Sequence, residues 1–505
     1  MSDMMTVPGV YIQEPTGLSL SIQSGETAVP VFLGHFKIKG DAGEGCIRVE
    51  SWFEFQSIVS EPDPVVIGLN ADGSWHEDAS NHAGHDLGYF SVRFYFENGG
   101  GPCYILHVDE TKEESLSSIP GKILLHPEIT LLCWCEFTKK DADVYSQLGL
   151  LLSAENNKGI FLLADGLYGK ENALLLPALA NKTQFAAYFP WLKTSYEHSV
   201  FVDVDGIGVE KIKQAVKGAL PDEKKLPVGD LNRFFDVLIK MSNKNAAGLQ
   251  QQMDGEKDKK SQKWSVLDAD YKKALLDANN LGAAFEKYSQ CCARGVVLRP
   301  SVAMAGIYAR TDRERGVWKA PANVPLSGVQ GLIAPSFADG DTLAKVSGAL
   351  TWPVVTVDDA LNMTLAKSQI NAIRSFKGRG VYAWGARTHT EDTDLNWRFV
   401  PVRRLFNTVE RDARAALRVA LFEPNSQATW EVVRGALANY LHNLWQLGAL
   451  VGDRPEQAYF VHVGLGLTMT EADVKDGRMI IRVGMAAVRP AEFIVLQLTQ
   501  DVMPS

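Results

Sequence analysis

The sequence predicts a multidomain protein that combines an α/β part with an α+β part. Its 505 residues are enough for about three domains. Between residues 100 and 205, apolar strand candidates alternate with helical stretches, an order typical of a layered, partly parallel sheet. The last third carries two long helical patterns followed by strands, the order expected of an α+β core.

Residues 1–25 are predicted to form an arm and a linker that lie outside any packed domain. Prolines and glycines interrupt this stretch and leave one short alternating piece between them. A single strand is not stable by itself, so this piece must pair with another strand. The linker over 15–25 could span about 35–40 Å when fully extended. The predicted strand of the arm consists of Val10, Tyr11, Ile12, Gln13 and Glu14.

Two parts are predicted between residues 26 and 345. Residues 26–100 start with a buried strand and form the N-terminal part of the core, whereas residues 101–345 form an outer α/β domain. Helical stretches are predicted at 142–155 and 171–189. The strand candidates of the outer domain are 103–108, 129–134, 159–164 and 199–204.

Two later stretches of the outer domain depart from this alternation. Residues from about 207 to 290 are helical and charged, and we expect them to form a helical insertion. Residues 296–365 are rich in glycine and proline, so they are predicted to be irregular.

Residues 346–490 are predicted to form the C-terminal α+β core. An apolar stripe indicates a helix over 403–421, and helical spacing returns from Trp430 to Gly448. Strands follow at 458–463 and 478–488. Residues 491–505 then form a second arm, whose predicted strand consists of Phe493, Ile494, Val495, Leu496, Gln497 and Leu498.

Composition excludes several classes of protein. The formal net charge of −9 argues against a general nucleic-acid binder. No stretch approaches about 20 consecutive apolar residues, so a membrane-spanning helix is not predicted. The first residues carry neither the basic nor the apolar region of a secretion signal, and we therefore expect assembly in the cytoplasm.

The best candidate for a metal site is a loop rich in histidine and acidic residues. Imidazole and carboxylate groups can ligate zinc, but the spacing matches no standard site, and nearby glycine and asparagine residues indicate a solvated loop. If this loop carries chemistry, the protein would instead be an α/β hydrolase or transferase with a site near residues 76–86. The loop residues are His76, Glu77, Asp78, His82, His85 and Asp86.

Other candidate patterns lack the geometry that their chemistry requires. Cys133 and Cys135 alternate along a predicted strand and point to opposite faces, which disfavours chelation. The segment 165–170 has two residues between its glycines, instead of the four of a phosphate-binding loop. We therefore predict no catalytic residue, no cofactor and no metal site.

The segment 370–420 is strongly basic, with ten basic and five acidic side chains. Four arginines recur at spacings of seven, three and four along the predicted helix, which places them on a common stripe. This stripe is either a solvated face with some structural arginines or a surface that docks onto an acidic partner. The four residues are Arg404, Arg411, Arg414 and Arg418.

Short motifs spread along the chain resemble a known family, the sheath proteins of contractile phage tails and related injection machines. Together they cover about 1–35, 90–110 and 300–505. The motifs that carry the resemblance are Val7–Glu14, Phe96–Gly101, Arg315–Asn323, Trp384–Thr388, Phe422–Asn425, Gly477–Arg478 and Val488–Phe493.

The resemblance implies a structural machine and no enzyme. Sheath subunits stack as hexameric rings around an inner tube and contract once. Their terminal arms complete a sheet in adjacent subunits, so the two predicted arm strands would be exchanged between copies. The implied partners are further copies of this chain, an inner tube protein, and baseplate and terminator or cap proteins. We expect neither nucleic-acid binding nor direct membrane insertion.

The resemblance also suggests where the protein acts and what its basic helix does. The product would be part of a virion tail or of a released extracellular contractile particle. We expect Arg404, Arg411, Arg414 and Arg418 to face acidic groups on the inner tube in the extended sheath. Adding the two arm strands to an open sheet edge would supply main-chain hydrogen bonds between copies.

Overall fold

The computed structural model divides the chain into two compact units. The terminal unit contains the described residues of 1–27, 312–320 and 396–505, and the sheet unit contains those of 28–311 and 321–395. No helix in the described part of the chain is long and apolar enough to cross a membrane. The structure describes residues 20–40, 45–63, 65–69, 75–77, 87–138, 140–153, 159–168, 174–176, 178–197, 200–202, 228–276, 279, 295–334, 336–337, 350–351 and 353–492.

The secondary-structure elements are labelled in chain order. The helices are α1 (Trp52–Ile58), α2 (Leu87–Glu97), α3 (Glu113–Leu124), α4 (Asp141–Leu151), α5 (Val228–Gly255), α6 (Pro300–Arg315), α7 (Asp359–Lys367), α8 (Val400–Leu417), α9 (Gln427–Gln446), α10 (Pro455–Ala458) and α11 (Glu471–Lys475). The strands are β1 (Pro30–Gly34), β2 (Ile47–Val49), β3 (Val65–Leu69), β4 (Trp75–Glu77), β5 (Cys103–His107), β6 (Leu131–Trp134), β7 (Phe161–Asp165), β8 (Leu167–Tyr168), β9 (Leu174–Leu175), β10 (Phe185–Phe189), β11 (Trp191–Thr194), β12 (Val200–Val202), β13 (Val297–Leu298), β14 (Val324–Pro325), β15 (Val329–Ile333), β16 (Ser336–Phe337), β17 (Leu350–Thr351), β18 (Ile370–Phe376), β19 (Gly380–Ala383), β20 (Tyr459–Val463) and β21 (Ile481–Met485).

A nine-stranded sheet organises the sheet unit, in the order β14-β19-β18-β10-β7-β6-β1-β5-β2. Its central strands are parallel, with Phe32 of β1 opposite Ile105 on one side and Cys133 on the other. Every residue of β1, β6, β7 and β10 is buried, as expected for parallel strands that are covered on both faces. The predicted mixed class with a partly parallel sheet is therefore confirmed.

Two predictions of local structure were wrong. The stretch 171–189 was predicted to be helical, but Phe185–Phe189 forms the buried strand β10 between β7 and β18. A short apolar run cannot be assigned to helix or strand from periodicity alone. The stretch 296–365 was predicted to be irregular, but it contains α6. Gly316, with a φ of +93°, follows this helix, where glycine commonly ends helices.

The terminal unit packs helices α8 and α9 around its own apolar core. The antiparallel strands β20 and β21 belong to the same unit, and Val461 lies opposite Val483. Helix α11 begins with a capping box in which Thr470 and Asp473 bond to each other's backbone N–H groups. The buried core residues are Val317, Leu405, Val409, Tyr440, Leu441, Leu444, Ala449, Leu450 and Ala458.

Candidate functional site

The antiparallel pair β20–β21 is the strand pairing of the terminal unit in the described residues. In the described residues the two strands pair with each other and form a sheet of two strands. A single bridge between Leu450 and Ala487 lies beyond the end of β21. A sheet this small presents backbone N–H and C=O groups along its edges, which is a template for pairing with another chain.

An apolar groove of about 530 Å³ lies along α8 and β21. Alternate residues of one strand share a face, and three alternate residues of β21 line this groove: Ile481, Val483 and Met485. The groove therefore follows one face of the strand. The remaining apolar lining residues are Phe406, Val409, Ala413, Leu417, Leu421 and Leu437, and its charged ones are Glu410, Arg414 and Arg418.

Exposed apolar side chains are frequent in the terminal unit, both in this groove and outside it. A contiguous apolar surface on a folded chain marks a site of association, whereas single exposed apolar residues are ordinary. Phe422 combines full exposure with a φ of +70°, a conformation that bulky residues rarely adopt. The other large exposed apolar residues of this unit are Val419, Leu421, Leu447, Val451, Phe460, Leu465, Leu467, Ile480 and Val483.

The structure separates the four arginines of the predicted basic stripe. The side chain of Arg404 is 3% exposed and pairs with Asp312, with Nη1···Oδ1 at 2.9 Å and Nη2···Oδ2 at 2.6 Å. The side chain of Arg411 is 14% exposed and lies 3.3 Å from Asp412. Arg414 is 47% exposed and pairs with Glu410, and Arg418 is exposed as well. Only the latter two therefore offer charge at the surface of the subunit.

The end of the N-terminal linker is fixed to the terminal unit. The carbonyl of Thr27 accepts a bond from Arg404, and its hydroxyl donates to Asp312 at 2.6 Å. The amide of Gly25 donates to Asp412, and Ile22 packs against the core. The described end of the linker is thus anchored from residue 22 onwards.

Asp412 links the linker to both long helices of the terminal unit. It lies on α8, accepts a bond from Tyr440 of α9 at 2.9 Å and receives the amide of Gly25 at 3.3 Å. Burial and the neighbouring carboxylate of Asp412 raise the pKa of the Tyr440 hydroxyl. The phenol therefore stays protonated and donates this bond across the physiological range.

Comparison with known proteins identifies the family. The family model "Phage tail sheath C-terminal domain" matches residues 392–501. The helical sheath of the anti-feeding prophage in its contracted state is 32% identical with a TM-score of 0.62, over 98% of this chain and 99% of that chain. The chain belongs to the contractile tail sheath family. The earlier resemblance is thereby confirmed.

Two further relatives support the same family assignment. The contracted PVC sheath complex, from an extracellular contractile injection system, is 31% identical with a TM-score of 0.58 and covers 98% of both chains. The tail sheath protein of Vibrio phage KVP40 is 27% identical over 147 residues, which are 29% of this chain and 19% of that protein. The chain thus matches about a fifth of the curated phage relative but the whole of the solved sheath subunits.

Several predicted site residues of this sheath protein lie outside the described residues. They are the N-terminal strand Val10, Tyr11, Ile12, Gln13 and Glu14 and the C-terminal strand Phe493, Ile494, Val495, Leu496, Gln497 and Leu498. In the acidic and histidine-rich loop, His76 and Glu77 belong to β4, and the remaining positions are not described. The described residues contain no group of three or more His, Cys, Asp or Glu that could hold a metal.

A buried ionic cluster in the sheet unit was not found from the sequence. Arg299 is fully buried and pairs with Asp141 and Asp165, while its Nε donates to the carbonyl of Glu136 at 2.7 Å. Asp165 also accepts the amide and the hydroxyl of Ser301, both at 2.8 Å. Burial raises the pKa of Asp165 to about 6. Because these groups are buried among their partners, the cluster is structural, and Asp165 is engaged in it rather than in binding phosphate.

Proposed function

We propose that this chain is the structural subunit of a contractile sheath, which polymerises as stacked hexameric rings around an inner tube. Contraction of the sheath would drive the tube through a target envelope. The observation that carries this proposal is the end-to-end similarity to the helical sheath of the anti-feeding prophage, at 32% identity over 98% of the chain. The role is mechanical, and no catalytic step is needed for it.

Neighbouring copies are joined by exchange of the terminal strands. The arm strands Val10–Glu14 and Phe493–Leu498 of other copies extend the β20–β21 pair. This proposal is supported by the small size of that sheet and by the apolar groove beside β21. An added strand would satisfy edge hydrogen bonds and place alternate apolar side chains over α8. Because donor and acceptor are different surfaces, the contact repeats without closing and builds a helix.

Contraction is then a rigid-body rearrangement of subunits that stay linked by their arms. The energy is stored at assembly in the extended packing, so no nucleotide is consumed. The anchored end of the linker, held by Asp412 and Asp312, fixes the point from which each N-terminal arm leaves its subunit. The residues before position 20 provide the reach between copies.

Docking onto the inner tube uses the exposed end of α8. Arg414 and Arg418 would face acidic groups of the tube in the extended state and release them on contraction, since exposed charge pairs are weak and reversible. Arg404 and Arg411 instead hold α8 in place within the subunit, which is supported by their burial. Baseplate and terminator or cap proteins would contact the two ends of the sheath.

The particle would be assembled in the bacterial cytoplasm and act as a virion tail or a released extracellular machine. The test is negative-stain microscopy of the full-length chain, purified alone and together with its inner tube protein. We expect striated hollow tubes of constant width, either empty or filled. Soluble monomers at all protein concentrations, with and without the tube, would contradict the proposal.

A further inference from the structure

A second concave site lies in the sheet unit. It has a volume of about 590 Å³ and is lined by residues of α1 and α2 and by the segment 61–63. Four aromatic side chains form its apolar lining: Trp52, Tyr89, Phe90 and Phe96. Trp52 and Tyr89 meet edge to face, with ring centroids 5.3 Å apart, so these two walls are held in place by each other.

The charged residues that line this pocket are mostly acidic. Glu97 pairs with Arg93 at 3.1 Å, and Asp63 pairs with Lys37. Glu61 and Glu197 also line the pocket, and within the described residues neither has a cationic partner. A pocket with aromatic faces and unneutralised carboxylates attracts a cation by charge and by cation–π contact.

The cationic side chains that match this pocket lie at the turn of the hairpin formed by β18 and β19, in the same unit. Strand β18 pairs with β10 only as far as Ala372, and its last four residues pair with β19 alone. At about 3.3 Å per residue the hairpin extends about 13 Å past β10. Lys377 and Arg379 are exposed at its turn, and in the described residues neither has a carboxylate partner. The guanidinium of Arg379 lies 4.8 Å from the ring of Tyr382 on the same hairpin.

The pocket and the hairpin are separate surfaces of the sheet unit. Helix α1, on one side of the pocket, follows the edge strand β2, whereas α2, on the other side, ends beside Ser327, which bonds to Asn98. The hairpin of β18 and β19 lies near the edge at which β14 pairs with the base of β19. Opposite charge on two separate surfaces of one body favours head-to-tail contact between copies. We propose that Lys377 and Arg379 of one subunit enter the acidic aromatic pocket of the next. This contact rests on the proposed function, because it requires a polymer of this chain.

The test is charge reversal with rescue in the full-length chain, assembled on its inner tube. The variant Lys377→Glu/Arg379→Glu should raise the protein concentration needed for half-maximal assembly about tenfold or more, because the two unneutralised carboxylates of the pocket, Glu61 and Glu197, would then face two more. Adding Glu61→Lys/Glu197→Lys to the same chain should restore most of the loss. Assembly of the first variant at the wild-type concentration would overturn the contact, as would a failure of the combined variant to recover.

Matched controls separate this contact from the sheath function itself. Lys257→Glu/Lys259→Glu makes the same change of charge at an exposed turn after α5 and should leave assembly unchanged. If the wild-type chain forms no sheath, the proposed function fails; if wild type assembles and the hairpin variant does too, only this contact fails. Thermal melting of each monomer reports whether it is folded.

Cross-linking tests the contact with a single substitution in each copy, so the pocket charge is changed in only one of the two. One batch of chain carries Lys377→Cys and another carries Glu61→Cys, and the two are co-assembled and treated with a short bis-maleimide. A covalent dimer that requires both variants is the expected product. Its absence from assembled sheaths, with each variant alone as the baseline, would refute the pairing.

Discussion

At the scale of single residues, the sheet unit depends on the buried charge of Arg299. Its side chain pairs with two buried carboxylates, Asp141 and Asp165, and stacks 4.8 Å from the ring of Trp191. Arg299→Met would leave both carboxylates buried without their cation, so we expect a loss of about 3–5 kcal/mol in the free energy of unfolding. Chemical denaturation of the monomer measures this. Arg434→Met, at an exposed pair with Glu431, should cost less than about 0.5 kcal/mol; equal losses would contradict the assignment.

Glu136 makes stability depend on pH at the same scale. Its carboxylate is buried and accepts the amides of His35, Leu87 and Gly88 at 2.8–2.9 Å, and burial raises its pKa from 4.5 to about 7. The folded state therefore holds this proton more tightly than the unfolded state, and its stabilising effect is lost as pH rises through 7. Melting temperature should fall between pH 5 and pH 8, less steeply in Glu136→Gln. An unchanged slope in that variant would show that other groups cause the dependence.

At the scale of elements, helix α8 carries buried and exposed arginines that its sequence pattern does not separate. Its apolar stripe and basic spacing predicted the helix correctly, but Arg404 meets Asp312 at a sequence distance of 92 residues, which periodicity cannot reveal. The same holds for Arg299, whose partner Asp141 is 158 residues away. Local patterns thus identify helices, capping boxes and exposed faces, whereas buried ion pairs depend on long-range packing. Phe185–Phe189 became a strand for the same reason, because its neighbours β7 and β18 decide its structure.

The difference between the buried and the exposed arginines gives a prediction about docking onto the inner tube. Arg414→Glu/Arg418→Glu should reduce the fraction of sheath that assembles on the inner tube several-fold without changing monomer stability, because both side chains are exposed. Arg404→Met should instead destabilise the monomer by about 3–5 kcal/mol, because Asp312 would stay buried without its cation. Sedimentation of sheath with tube and monomer melting give the two readouts. Normal assembly of the first variant at low salt would exclude docking by these arginines.

At the scale of the whole molecule, the proposed strand exchange requires that strands from other copies extend the β20–β21 pair. Deleting residues 1–14 should leave a folded monomer, because the described contacts of Ile22 and Gly25 within the terminal unit remain, yet it should abolish sheath formation. Deleting residues 1–6 removes chain without touching the predicted strand, so that variant should still assemble. Light scattering and electron microscopy distinguish the two. Regular sheath tubes from the longer deletion would mean that the subunits are held together by lateral contacts such as the hairpin and its pocket, and that the N-terminal strand is dispensable.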